Sequence, residues 1–467
     1  RVLFRSSKLT IGCYSSLMPI LKYFFPFRSF RFFLFFFFLC STSSLQAQTY
    51  SNEEIVISGL GFARFAVTMV PEKSFSDHPD ARRWLRIIDR NLCWSGVFLV
   101  TDSRYRTCRT ASGDQVDMKI LLKLERKVSD TGTLVSKHLM LTVADNDGLP
   151  LRSVRNLDLP LRKNRFREAE LMDLINNMSA QLTGLEGVLG STIAFTLKQP
   201  KRRKIIARIN THGKKLAAIS KNSSISLLPS WSPQGDAIVY TTLSRTGTAI
   251  IYNNFKNRPV KLLRSNTSAT RASNNFLSVS GGSWFSRGRK LVVTLSRRGN
   301  TDLYSFDRQK RKETRLTTHR SIDTVPDLSA DNQHLIFVSD RTGHEQIFYL
   351  QLGTKIPFQL TFGRGSSSDP AWSPDGTLIA YSKISNGHSQ INLMDPFTGE
   401  DHSLTKGRYN SEQPAWSPDG RQIAFVSSST GVDKLYIMFV DGTGRRRLTR
   451  TPKDFAEGSP TWTARKF

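Results

Sequence analysis

A hydrolytic serine sits on a Gly-x-Ser-x-Gly elbow, where two glycines allow the sharp turn that exposes the hydroxyl. The nearest approach in this chain is Gly365-Ser366-Ser367-Ser368-Asp369, which lacks the second glycine. A zinc hydrolase would carry His-Glu-x-x-His on one helix face, but the eight histidines are scattered without ligand spacing. Between Glu53 and Gly190 there is no glycine-rich phosphate loop, and no nucleophile motif. The residue types therefore predict no catalytic site, no metal and no cofactor. Cys93 and Cys108 are the cysteines left once the first 47 residues are set aside. They are open to two readings, one disulfide closing a short loop or two free thiols.

What the chain does repeat is a phrase. Pro414-Ala415-Trp416-Ser417-Pro418-Asp419-Gly420 is its fullest form, Pro370 to Gly376 copies it, and Pro229 to Gly235 is close. Pro460-Thr461-Trp462 is a truncated copy. Gly282-Ser283-Trp284-Phe285-Ser286 and Pro326-Asp327-Leu328-Ser329-Ala330-Asp331 are degenerate ones. Positions 231, 284, 328, 372, 416 and 462 are separated by 53, 44, 44, 44 and 46 residues. A fixed period of this length marks a repeat architecture.

The fullest copies of the phrase end in Ser-Pro-Asp-Gly turn chemistry, and each period then carries short strands separated by polar turns such as Asp441-Gly442-Thr443-Gly444. Four strands per period without helices suit a propeller blade. Five intervals lie between the phrases. The strands at Thr192–Leu197, Lys204–Ile209 and Leu216–Ser220 join the one at Trp462 as a sixth blade, so the ring has no long free edge. The recurring Trp is expected to pack between blades rather than to stack a ligand, because Leu328 can replace it.

Ahead of the repeats, residues 48–190 read as an α/β domain. Strands are expected at Phe65–Val70, Val97–Val100, Val116–Leu124 and Leu134–Val143. One helix follows Ser76-Asp77-His78-Pro79 and stops at Gly96; another runs from about Arg167 to Leu182 before Gly184. Residues 1–47 read as a signal peptide: Lys22, Arg28 and Arg31 flank an apolar core from Phe32 to Cys40, with a cleavage site after Ala47. That core is shorter than the ~20 residues of a spanning helix. Residues 1–17 read as an over-extended start, with Met18 a natural initiator. Cleavage would delete six basic and no acidic residues, taking a net charge of +29 to +23. Export argues against a nucleic-acid partner and for anionic lipids or cell-wall polymers.

In order, count and termini these features resemble the TolB family: the six phrases, the junction Leu182-Thr183-Gly184-Leu185-Glu186-Gly187-Val188, and Ser459-Pro460-Thr461-Trp462. The resemblance implies a six-bladed β-propeller behind an N-terminal α/β domain, in a periplasmic, monomeric, non-enzymatic scaffold of the Tol–Pal envelope system. It implies a peptidoglycan-associated lipoprotein docked on the loops before each Pro-x-Trp, hence on Ser278, Asp323, Thr324, Ser368, Asp369, Asn410, Glu412 and Glu457, with Thr324 foremost. It also implies contact between residues 48–57 and TolA, an inner-membrane protein, in support of outer-membrane integrity and cell division. A propeller that binds cell-wall sugar or another envelope ligand is the alternative.

Overall fold

The computed structural model describes residues 64–109, 115–128, 134–155, 157–200, 203–221, 225–265 and 278–467. The expected signal peptide, its cleavage site and the TolA-contacting strand lie outside the described residues. The described residues form one compact unit. No helix among the described residues is long and apolar enough to cross a membrane.

The N-terminal part is a five-stranded sheet with the order β2-β1-β3-β4-β5. Its strands are β1 (Phe65–Pro71), β2 (Phe98–Val100), β3 (Met118–Val128), β4 (Leu134–Ala144) and β5 (Asp158–Leu161). β1 runs parallel to β2 and β3, and the other pairs are antiparallel. Alternation puts Met118, Ile120 and Leu122 of β3 beside Leu139, Leu141 and Val143 of β4 in one core. Helices α1 (Lys73–Ser76), α2 (Ala81–Ser95) and α3 (Glu168–Thr183) complete it. Trp84, Ile88 and Leu92 from α2 meet Leu171, Ile175 and Met178 from α3 there.

Gly96 and Gly184 end α2 and α3 in the left-handed conformation (φ 77° and 72°), as the sequence predicts. Two details differ. The helix expected after Pro79 is α2, with His78 stacked on Trp84 at 4.2 Å, but the one-turn α1 ahead of it, which buries Phe75, was not expected. Strand β5 was not expected. Pro160 disguises it, and its place at the sheet edge is where a missing N–H is tolerated.

Residues 192–463 form six four-stranded antiparallel sheets. The innermost strands are Ile225–Trp231, Ser278–Trp284, Asp323–Leu328, Ser367–Trp372, Ser411–Trp416 and Ala456–Thr463. The sixth sheet draws on both ends of the repeat region, with Trp462 opposite Ile193. The recurring Trp and Leu328 are buried between blades. Trp284 Nε1 donates to Ser230 O of the preceding blade (3.1 Å), and Trp416 Nε1 to Ala371 O (3.0 Å). Truncating such a side chain to Ala costs roughly 3–5 kcal/mol, so the phrase is a packing device.

The two parts meet along α2, at the start of α3 and at Arg64. Gln422 Nε2 donates to Trp94 O (3.0 Å), and His212 Nε2 lies 2.9 Å from Asn91 Oδ1. Arg64 pairs with Asp441 at 2.7 Å, and Lys214 with Glu168 at 3.0 Å. Cys93 and Cys108 form a disulfide that packs against Phe439 of the fifth blade.

The bulged mouth of the propeller

The phrase closes the innermost strand instead of opening it. The residues expected on loops before each Pro-x-Trp therefore lie within or beside the first half of that strand. Midway along, every innermost strand carries a β-bulge: Thr324 pairs with Val338, yet Asp327 pairs with Ile336. The same slip recurs in all six blades.

In each case the residue before the phrase's proline, or before Gly282, is left-handed. The six φ values are 52° at Leu228, 65° at Gly281, 47° at Val325, 50° at Asp369, 56° at Gln413 and 49° at Ser459. Only Gly281 takes this conformation freely; for β-branched Val325 it is a strained position of order 1–3 kcal/mol. All six sit at the register shift, so the conformation belongs to the bulge and not to the residue type. The proline that follows has no N–H to lose from the ladder.

The bulges line a central cavity of about 460 Å³, walled by the six phrases. Thr324 and Val325 reach into its lining. The other predicted residues sort by their place on the strand. Asp323 is wholly buried and bound twice by Arg341 Nη2, at 2.8 and 3.0 Å. Glu457 is also buried. It accepts from Leu435 N (2.7 Å), Thr449 Oγ1 (2.5 Å) and Thr451 Oγ1. These two carboxylates serve the blades' own hydrogen bonds and do not face the mouth.

Ser368 and Asp369 are half-buried, and Asp369 Oδ2 accepts from both Ser368 and Ser382 at 3.0 Å. Burial pushes the Asp369 carboxyl above its ordinary range against those two hydroxyls. Burial, then the charges of Asp369 and Asp433, push Glu412 up as well. Asn410 is exposed while its Oδ1 accepts from Ser389 N at 3.1 Å, and Ser278 is exposed at the start of its strand. The structure thus gathers Asp369 and Glu412 into one acidic stretch of the rim, with Thr324 on the channel wall.

Residues 180–465 match the family model described as the TolB beta propeller domain. The chain belongs to the TolB propeller family. A protein named "Protein TolB homolog" from Chlorobium luteolum (strain DSM 273 / BCRC 81028 / 2530) is 29% identical over 334 residues, 69% of this chain and 72% of that one. "Tol-Pal system protein TolB" from Helicobacter pylori (strain ATCC 700392 / 26695) is 28% identical over 137 residues, a match spanning 31% of that relative. Among solved structures, TolB from Acinetobacter baumannii superposes with a TM-score of 0.65 over 86% of this chain and 96% of that one. At 20% identity that likeness concerns the fold.

For a TolB-family propeller, two features of this mouth lay beyond its sequence. One is Asp327, half-buried on the channel wall. It accepts from Trp372 N (2.8 Å) and Ser283 Oγ (2.9 Å), and burial pushes its carboxyl up to about 6 despite both bonds. The other is exposed apolar surface at the same end of the strands. Leu243 sits opposite Ile225, Ile384 N binds Ser366 O, and Ile322 precedes Asp323; all three side chains are exposed. Exposed apolar groups beside partly buried polar ones are the composition of a protein-docking surface.

Proposed function

We propose that the chain is a periplasmic, non-enzymatic scaffold of a Tol–Pal envelope system, docking the peptidoglycan-associated lipoprotein on the mouth of its propeller. The observation that carries this reading is the mouth itself: exposed Leu243, Ile322 and Ile384 at the same end of the strands as the half-buried Thr324, Ser368 and Glu412. The name of the Helicobacter pylori relative supports the choice of system. Within this reading, residues 48–57 contact TolA, and the assembly supports outer-membrane integrity and cell division.

Capture of the lipoprotein from the same cell by the purified chain tests it. Thr324→Arg places a long charged side chain at the channel wall. It should weaken capture by about tenfold or more, the cost of an unmatched charge at an interface. Equal capture by wild type and variant would remove the mouth from the contact; absence of capture by wild type would remove the scaffold role.

A further inference from the structure

A second concave site lies away from the mouth, where the N-terminal part meets the fifth blade. It is a crevice of about 370 Å³ lined by Arg104 and Arg106 on one wall and Arg445 and Arg446 on the other. No carboxylate contributes to its lining. Among the described residues, none of the four guanidinium groups forms an ion pair. Nearby acids are engaged elsewhere: Asp441 by Arg64, Glu168 by Arg90 and Lys214. Asp89 Oδ2 accepts the backbone N–H of Arg104 rather than its side chain.

The crevice is built rather than incidental. Arg445 Nη1 donates to Tyr409 Oη at 2.6 Å, and its guanidinium lies 4.9 Å from the centre of the Tyr409 ring and 5.2 Å from that of Tyr436. Arg446 donates to Thr211 O at 2.9 Å and lies 4.3 Å over Trp94. The opposite wall is stapled by the Cys93–Cys108 disulfide, which fixes the segment bearing Arg104 and Arg106. The Arg445 and Arg446 guanidinium groups are already oriented, so an arriving anion loses little affinity to their ordering.

Electrostatics agree. Desolvation pushes Arg446 down to about 10. Neighbouring His212 is pushed down to about 3, first by burial and then by the charges of Arg446, Arg90 and Lys214. Arg104 and Arg106 are exposed while Arg445 and Arg446 are half-buried, so the crevice gathers four positive charges around one partly desolvated wall, where an anion is bound more strongly than at an open surface.

We propose that this crevice binds an organic phosphomonoester, its phosphate held by the guanidinium forks and its body against Trp94, Tyr105 and Phe439. A dianionic tetrahedral group can accept from more than one planar fork at once, which a single carboxylate does less well. The cavity also exceeds what phosphate alone would fill. The ligand is either a soluble sugar phosphate or a phosphate headgroup on a lipid surface.

The test is calorimetric titration of the purified chain with glucose 6-phosphate, with glucose as the uncharged control. Co-sedimentation with phosphatidic acid vesicles, against phosphatidylcholine vesicles, runs alongside. Two double variants are compared: Arg104→Ala/Arg106→Ala in the crevice, and Lys261→Ala/Arg264→Ala on the first blade, which removes the same charge elsewhere. Saturable binding of glucose 6-phosphate, at least about tenfold weaker in the crevice variant alone, supports a soluble ligand. Binding confined to phosphatidic acid vesicles and lost in the crevice variant alone supports a lipid headgroup. No binding of either probe, or equal losses in the two variants, overturns the proposal.

Discussion

Asp327 gives the mouth a titration that can be read in stability. Its carboxyl stands at about 6 in the fold against an ordinary 3.8, a difference worth about 3 kcal/mol. The sign follows from proton counting. Between the two values the folded chain holds a proton that the unfolded chain has released, so stability falls as pH rises through that window. Below pH ~4 the penalty is absent, and above pH ~6 it is fully present. Asp327→Asn removes the titration. Its amide oxygen can still accept from Trp372 N, and the Ser283 hydroxyl can turn to accept from the amide nitrogen. Any fixed cost of the variant cancels when its thermal midpoint is compared with wild type at pH 4 and again at pH 7. Wild type should lose ground between the two conditions by about 6 °C, taking roughly 2 °C per kcal/mol for a domain of this size. A wild-type-minus-variant difference that stays constant with pH would refute the assignment, since the other buried acids are common to both proteins.

Arg341→Ala leaves the wholly buried Asp323 carboxylate without its partner and should cost about 3–5 kcal/mol in denaturant unfolding at neutral pH. Replacing both residues, as Arg341→Met/Asp323→Asn, should cost clearly less. Val325→Gly relieves a left-handed β-branched residue and should stabilise by roughly 1 kcal/mol. Gly281→Val should destabilise by about as much, although an added Cβ there meets no atom within 4 Å. Paired unfolding curves for those two variants separate backbone strain from packing.

The blade count was legible because one large aromatic recurs at nearly constant spacing, and burial between blades tolerates only a comparable hydrophobe such as Leu328. The bulge was not legible. Leu228, Val325, Asp369, Gln413 and Ser459 have no residue type in common, so the requirement they meet is written in the bulge and not in the letters; Gly281 was the single hint. Asp323 and Glu457 looked like rim acids because sequence does not reveal burial. Their partners, Arg341 and the Thr449–Thr451 pair, come from loops elsewhere in the chain. Cys93 and Cys108 are 15 positions apart, a spacing that fits paired and free thiols alike until the fold sets their Cα atoms 5.4 Å apart.

Closure of the sixth blade has a consequence for how the molecule comes to be. Trp462 donates to the Ser191 hydroxyl across a sequence separation of 271 residues. A contact of such high order forms late, because the intervening chain must be made and ordered first. Until then the nascent ring is a curved row of blades with two bare sheet edges, open to mispairing with another copy. The mouth has no complete rim in that state. Binding competence would then arise in one step, at ring closure, so that a partner discriminates finished molecules from unfinished ones.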